Sequence, residues 1–204
     1  KISLVLNITP DHLNWHNTLD NYINAKKKVF QNQGKKEITV LNYDNSCVRK
    51  MKDEINSNIV WFSLNSKLSN GIFIEDDYIV IKDGVKSNRV INIHEIMLPG
   101  KHNLENALAS IAIAWSMGLD LKIVKDVLKT FPGVEHRIEY VDIIDGVKFY
   151  NDSKGTNSDA SIKAIEAINS PIILIAGGMD KGTDFDDFIL SFKGKVKALV
   201  LLGE

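Results

Sequence analysis

Five short runs constrain this chain more than any other feature: "ISLVLNI", "ITVL", "IVWF", "PIILIAG" and "VKALVLLG". Each has the length and the Ile, Val and Leu content of a strand, and each is separated from the next by sequence with helical patterning. That alternation is the signature of a parallel α/β sheet. The texture changes between Gly71 and Ile93, where "GIFIEDDYIVIKDGVKSNRVINI" alternates with period two and is broken at Asp76-Asp77 and Asp83-Gly84. This predicts a small antiparallel meander. Helix returns at "NLENALASIAIAWSMG", with Leu104, Leu108, Ile111 and Trp115 on one face and Gly118 as its stop, and Asp120 then caps a second helix that ends near Phe131. The Pro132-Gly133 pair is the best candidate boundary, dividing the chain into domains 1–133 and 134–204. After it, a hairpin turns about Asp145-Gly146, and strand, loop and helix repeat in the doubly wound pattern of a second α/β domain.

Composition narrows the function classes. The chain has 204 residues, a net charge of -1 and 44% hydrophobic residues, which suits a globular protein of one or two domains. Positive charge is scattered among acids, so nucleic acid is not an expected partner. No apolar run approaches the roughly 18 residues of a membrane span, and Cys47, the single cysteine, fits a reducing cytoplasm. The first strand has no initiator methionine, and the last stops where a loop and helix would follow, so an excerpt of a longer protein is expected. Arginine occurs only at 49, 89 and 137. In a chain that otherwise uses lysine, each arginine is notable, because its planar fork binds phosphate or carboxylate as lysine cannot.

One lysine is also notable. In "LDNYINAKKKVF", Leu19, Tyr22, Ile23 and Phe30 mark one face of a predicted helix, and the same progression places Lys26 on that face, directed inward. Lys27 and Lys28 fall elsewhere.

Three loops follow predicted parallel strands, where open α/β sheets place ligands. "NITPDHLNWH" presents Asp11, His12 and His16 ahead of the helix carrying Lys26. "NDSKGTNSD" gathers Asp152, Ser153, Lys154, Thr156 and Asn157 at a helix N-terminus, which favours an anion; capping by Asn157 or Ser158 accounts for two of its polar residues. "AGGMDKGTDF" puts Gly177 and Gly178 at a strand end with Lys181 beyond. The P-loop pattern GxxxxGK[ST] occurs nowhere. In "PGKHNLENA", Asn103 is a candidate helix cap, and with Asn106 three residues on it offers two carboxamides able to read the edge of a base.

In this order, "NITPDHLNWH", "YINAKKKVF", "PGKHNLENALA", "EHRIE", "NDSKGTNSDAS" and "IAGGMDKGTDF" resemble the Mur ligases, and among them the branch that adds D-glutamate. The most specific piece is Asn151-Asp152-Ser153-Lys154 with Thr156-Asn157. The resemblance implies the back part of a central ATP-binding domain and the front part of a Rossmann-like C-terminal domain, with an active site shared by the two. It implies an ATP-dependent ligase that activates the carboxylate of UDP-N-acetylmuramoyl-L-alanine as an acyl phosphate for attack by the amine of D-glutamate. ATP and Mg²⁺ are the implied cofactors, the cytoplasm the compartment and a monomer the assembly.

By position, His12 resembles a magnesium ligand, and Lys26 the lysine that the family carbamylates beside that metal. A carbamate would explain an inward lysine, since an unpaired ammonium there is costly. Asn103 and Asn106 match residues at the adenine, Arg137 and Asp152 match those at phosphate and ribose, and Lys154 matches a cation of the catalytic cleft. Thr156 and Lys181 match the pair holding a carboxylate of D-glutamate. Asn14 and Trp15 stand where members often have Asp and Arg. The phosphate-binding loop, an acidic magnesium ligand and the uridine-binding domain have no counterpart here, so the chain alone is expected to be inactive. Two alternatives remain: a folylpolyglutamate-type ligase, which would share the lysine and histidine but not the NDSKxTN loop, and a non-catalytic nucleotide-binding module.

Overall fold

The computed structural model describes residues 1–11, 13–178 and 185–203, which form two compact units, Lys1–Phe131 and Pro132–Glu204. In the first unit, β1 (Ile2–Val5) leads into two helices, α1 (Leu13–His16) and α2 (Leu19–Lys27), and then β2 (Ile38–Asn42). Next come α3 (Ser46–Lys50), a 3₁₀ turn (Met51–Glu54) and β3 (Asn58–Ser63). The meander is β4 (Gly71–Glu75), β5 (Tyr78–Asp83) and β6 (Lys86–Asn92), and the unit ends with a 3₁₀ turn (Ile93–Glu95), α4 (Lys101–Ser116) and α5 (Leu121–Thr130).

All six strands form one sheet in the order β1-β2-β3-β4-β5-β6. The meander is therefore not a separate sheet. Its first strand pairs parallel with β3, Phe62 opposite Ile72, and only then does the sheet turn antiparallel. Gly71 makes the join possible: its φ is +131°, and a Cβ there would lie 2.5 Å from the Trp61 carbonyl oxygen.

The continuous apolar runs have a simple cause, since the sheet is covered on both faces. Val40, Phe62, Ile72, Ile79 and Ile91 pack with Leu108, Ile111 and Ala112 of α4. Adjacent residues point the other way, and there Val5, Leu41, Tyr22, Phe30, Val48 and Met51 make a second core. Gly118 (φ +72°) ends the α4 region, and the Asp120 side chain caps α5 by accepting from Lys122 N at 2.9 Å.

The second unit has β7 (Glu139–Ile144) and β8 (Val147–Asn151), a hairpin turned by Asp145 and Gly146 at positive φ. Then come α6 (Ser158–Ala167), β9 (Ile172–Gly177), α7 (Asp186–Leu190) and β10 (Val196–Leu202), with β9 and β10 parallel. Lys195 closes the end of α6, its Nζ donating to the carbonyls of Ile165, Glu166 and Ile168 at 2.8 to 3.1 Å. A two-stranded sheet has little surface to bury. Among the described residues of this unit, Ile165 is the fully buried large apolar side chain, while Ile173, Ile175 and Leu201 stay well exposed.

Candidate active site

Lys26 is exposed, which corrects the expectation of an inward lysine. The reason lies in where the helix stops. α2 ends at Lys27, and Phe30 is buried from the irregular turn that follows, so the progression Tyr22–Lys26–Phe30 is not one helical face. The buried side is set by Tyr22 with Leu19 and Ile23 packed beside it. From its position one turn on, Lys26 sends its ammonium over the Tyr22 ring, 5.1 Å from the centroid, while His16 meets the same ring edge-on at 5.2 Å. Lys27 is the lysine drawn toward the protein: its side chain is 21% exposed and pairs with Glu54. His12 lies outside the described residues. Among the described residues no group of three or more His, Cys, Asp or Glu side chains could hold a metal ion, and the Lys26 amine is itself a cation. These residues by themselves do not make a magnesium site, and no step is derived through one.

Asn103 is not the cap of α4. The helix begins two residues earlier, with Gly100 as N-cap at φ +100°, and Asn103 Nδ2 donates back to the Pro99 carbonyl at 2.7 Å. Its carboxamide oxygen is left by that bond, and Asn106 follows on the same side of the helix, exposed.

The second unit brings four expected residues together. Between Pro132 and β7 the backbone is strained: His136 (φ +66°) and the β-branched Ile138 (φ +47°) both lie in the left-handed region, flanking Arg137. Such a conformation costs roughly 1 to 2 kcal/mol per residue and persists only where the surroundings impose it. Here they do, through the loop that follows β8. Asp152 Oδ1 accepts the Ile138 N–H at 3.0 Å, and the His136 carbonyl accepts the Lys154 N–H at 3.0 Å. The Glu139 carboxylate accepts the His136 N–H at 2.7 Å, and Asn151 Nδ2 lies 2.9 Å from His136 Nδ1. Arg137, Asp152, Lys154 and Thr156 thus belong to two loops bolted to one another, and His136 and Asn151, which the sequence motifs contain without a role for either, become functional candidates. A two-fold run of positive φ has no sequence signal when neither residue is glycine.

Asp152 also explains Gly155: a Cβ there would come within 2.5 Å of Asp152 Oδ2. Asn157 caps α6 by accepting from Ala160 N at 2.8 Å, so the helix opens at Ser158. Of the three arginines, Arg49 lies over the Tyr43 ring, and Arg89 lies over Tyr78 and pairs with Asp76. Among the described residues the Arg137 guanidinium has no such partner and stands exposed. Lys154 and Thr156 are exposed as well, and Lys181 lies outside the described residues.

A mixed sheet covered on both faces and an arginine held out on a clasped, strained turn define an α/β protein suited to an anionic ligand. The chain belongs to the Mur ligase family: the Mur ligase middle domain matches residues 1–114, and the Mur ligase, glutamate ligase domain matches residues 136–204. It is 52% identical over 204 residues to the UDP-N-acetylmuramoylalanine--D-glutamate ligase of Thermoanaerobacter sp. (strain X514) and 50% identical over 204 residues to that of Clostridioides difficile (strain 630). In both matches all of this chain aligns with 45% of the relative, so the chain spans less than half the length of these relatives. The fold is similar to that of the MurF ligase from Thermotoga maritima in complex with ADP, with a TM-score of 0.69 and 15% identity over 98% of this chain and 52% of that one. Among the described residues no helix is long and apolar enough to cross a membrane.

Proposed function

We propose that this chain is the ATP- and amino-acid-handling part of a cytoplasmic, monomeric ligase that joins D-glutamate to UDP-N-acetylmuramoyl-L-alanine in peptidoglycan precursor synthesis. The observation that carries the reading is the Arg137 turn, strained on both sides, clasped by the NDSK loop and offering a guanidinium without a described partner. The names of the relatives supply the substrates. A carboxylate oxygen of UDP-N-acetylmuramoyl-L-alanine attacks the γ-phosphorus of ATP and releases ADP. The amine of D-glutamate then attacks the acyl carbon, phosphate leaves and a proton is lost from nitrogen. Negative charge spreads over the transferring oxygens, and fixed cations aimed at them lower the barrier.

In this reading Arg137 and Lys154 are those cations, Asp152 holds the turn and reaches the ribose, and Asn103 and Asn106 meet the adenine. Thr156 and Lys181 hold a D-glutamate carboxylate, and His12 with Lys26 as its carbamate would, together with ligands from the rest of the intact protein, hold a magnesium ion, whose charge would offset that of the phosphates. The test is phosphate release by the intact protein given ATP and UDP-N-acetylmuramoyl-L-alanine, with D-glutamate, L-glutamate or a diamino acid as acceptor. Turnover with D-glutamate alone is expected. Turnover with another acceptor, or with none, overturns the reading.

A further inference from the structure

His136 is held at every polar atom of its backbone and at one of its ring. Its N–H goes to Glu139, its carbonyl accepts from Lys154 N, and its Nδ1 faces Asn151. What fixes the ring is the orientation of the Asn151 amide. Ser153 N–H donates to Asn151 Oδ1 at 3.1 Å, and a backbone N–H can only donate, so the oxygen must stand at that end. The NH₂ end is thereby turned to His136 Nδ1 at 2.9 Å, and it too can only donate. Nδ1 is then the acceptor, and the proton of the neutral imidazole sits on Nε2. Glu139 also approaches Nδ1, but at 3.5 Å and with the same oxygen already accepting the His136 N–H. The shorter Asn151 contact decides.

We propose that Asn151 is a positioning residue for Arg137: by holding His136 as the Nε2–H tautomer it locks the left-handed turn that presents the guanidinium to the transferring phosphate. Asn151 closes β8 opposite Glu139, the first residue of β7, so the clasp sits at the open end of the hairpin, one residue from Arg137 on the backbone whose φ is strained. The role at phosphate rests on the function proposed above; the tautomer does not.

The experiment has two arms. In the 204-residue chain, labelled with ¹⁵N-histidine and assigned with His136→Gln, long-range proton–nitrogen spectra should show His136 protonated at Nε2. Asn151→Asp, which keeps the acceptor for Ser153 N but replaces the donor with an acceptor, should move the proton to Nδ1. A wild-type ring protonated at Nδ1, or an Asn151→Asp ring unchanged, overturns the clasp. In the intact protein, Asn151→Asp should raise KM for ATP about tenfold, the factor for roughly one lost hydrogen bond, with KM for D-glutamate unchanged. His136→Phe, which keeps a ring but has no Nδ1, should do the same and serves if Asn151→Asp does not fold. A tautomer switch with KM for ATP unchanged overturns the positioning role. If Arg137→Ala also leaves ATP use intact while the switch persists, it is the phosphate reading of Arg137 that has failed, and the positioning role falls with it.

Discussion

Gly155 shows how much a single atom decides. A methyl group there would meet Asp152 Oδ2 at 2.5 Å and the Asp152 carbonyl oxygen at 3.1 Å, so Gly155→Ala must push away the carboxylate that holds Ile138. The loop is at the surface, and the fold should tolerate the change. The expected outcome is about tenfold weaker use of ATP by the intact protein with little change in melting temperature, checked by steady-state kinetics beside a thermal melt. Lys26 calls for a different test. It is exposed and rests on Tyr22, which leaves its amine open to carbon dioxide; an amine and carbon dioxide give a carbamate and a proton. Lys26→Arg keeps the cation and the ring contact but cannot be carbamylated, so it should be nearly inactive in the intact protein. Activity should also fall when dissolved carbon dioxide is stripped at mildly acidic pH and return with bicarbonate. An active Lys26→Arg variant refutes the modification.

Two helices are tied down by single side chains. Lys195 reaches from the end of the loop after α7 to three carbonyls at the C-terminus of α6, groups that a helix leaves without internal partners. Lys195→Met keeps the apolar stem and loses all three bonds, and should cost about 1.5 to 2 kcal/mol in denaturant unfolding, the lower part of the range for charged hydrogen bonds because the site is partly wet. Glu95, in the 3₁₀ turn before α4, is bonded by Lys129 and Lys125 of α5 and by the Asn92 N–H, and these hold its carboxyl down to about 2 against the usual 4.5. A carboxyl depressed in the folded state adds stability above pH 4.5 and loses it as the pH falls toward 2. Melting temperature should therefore drop through that window, and Glu95→Gln should flatten this part of the curve while lowering the plateau above it.

At the scale of the whole molecule, the expected machinery is divided. Lys26, Asn103 and Asn106 belong to the unit Lys1–Phe131, and Arg137, Asp152, Lys154 and Thr156 to the unit Pro132–Glu204. Neither carries a GxxxxGK[ST] loop, whose backbone N–H groups would cradle the β- and γ-phosphates. Phosphoryl transfer is almost wholly positioning and electrostatics, so the 204-residue chain should release no phosphate from ATP above a Lys154→Ala control. Release above that control would show that the residues present suffice.

Period and punctuation made much of this protein legible in advance. Apolar runs of strand length fixed the strands, Gly118 and Asp120 fixed the break between α4 and α5, and Asp145-Gly146 fixed the hairpin, because each acts through its own backbone preferences. The grouping of Asp152, Lys154 and Thr156 was readable for the same reason, as neighbours in one loop. Three things were decided only in three dimensions. The meander joined the central sheet because β4 found β3 across an intervening loop. Lys26 turned outward because α2 stopped before Phe30, and helix ends depend on what the next turn can bury. The Arg137 turn took a strained shape that no residue in it prefers, because hydrogen bonds from a loop more than ten residues away outweigh local preference.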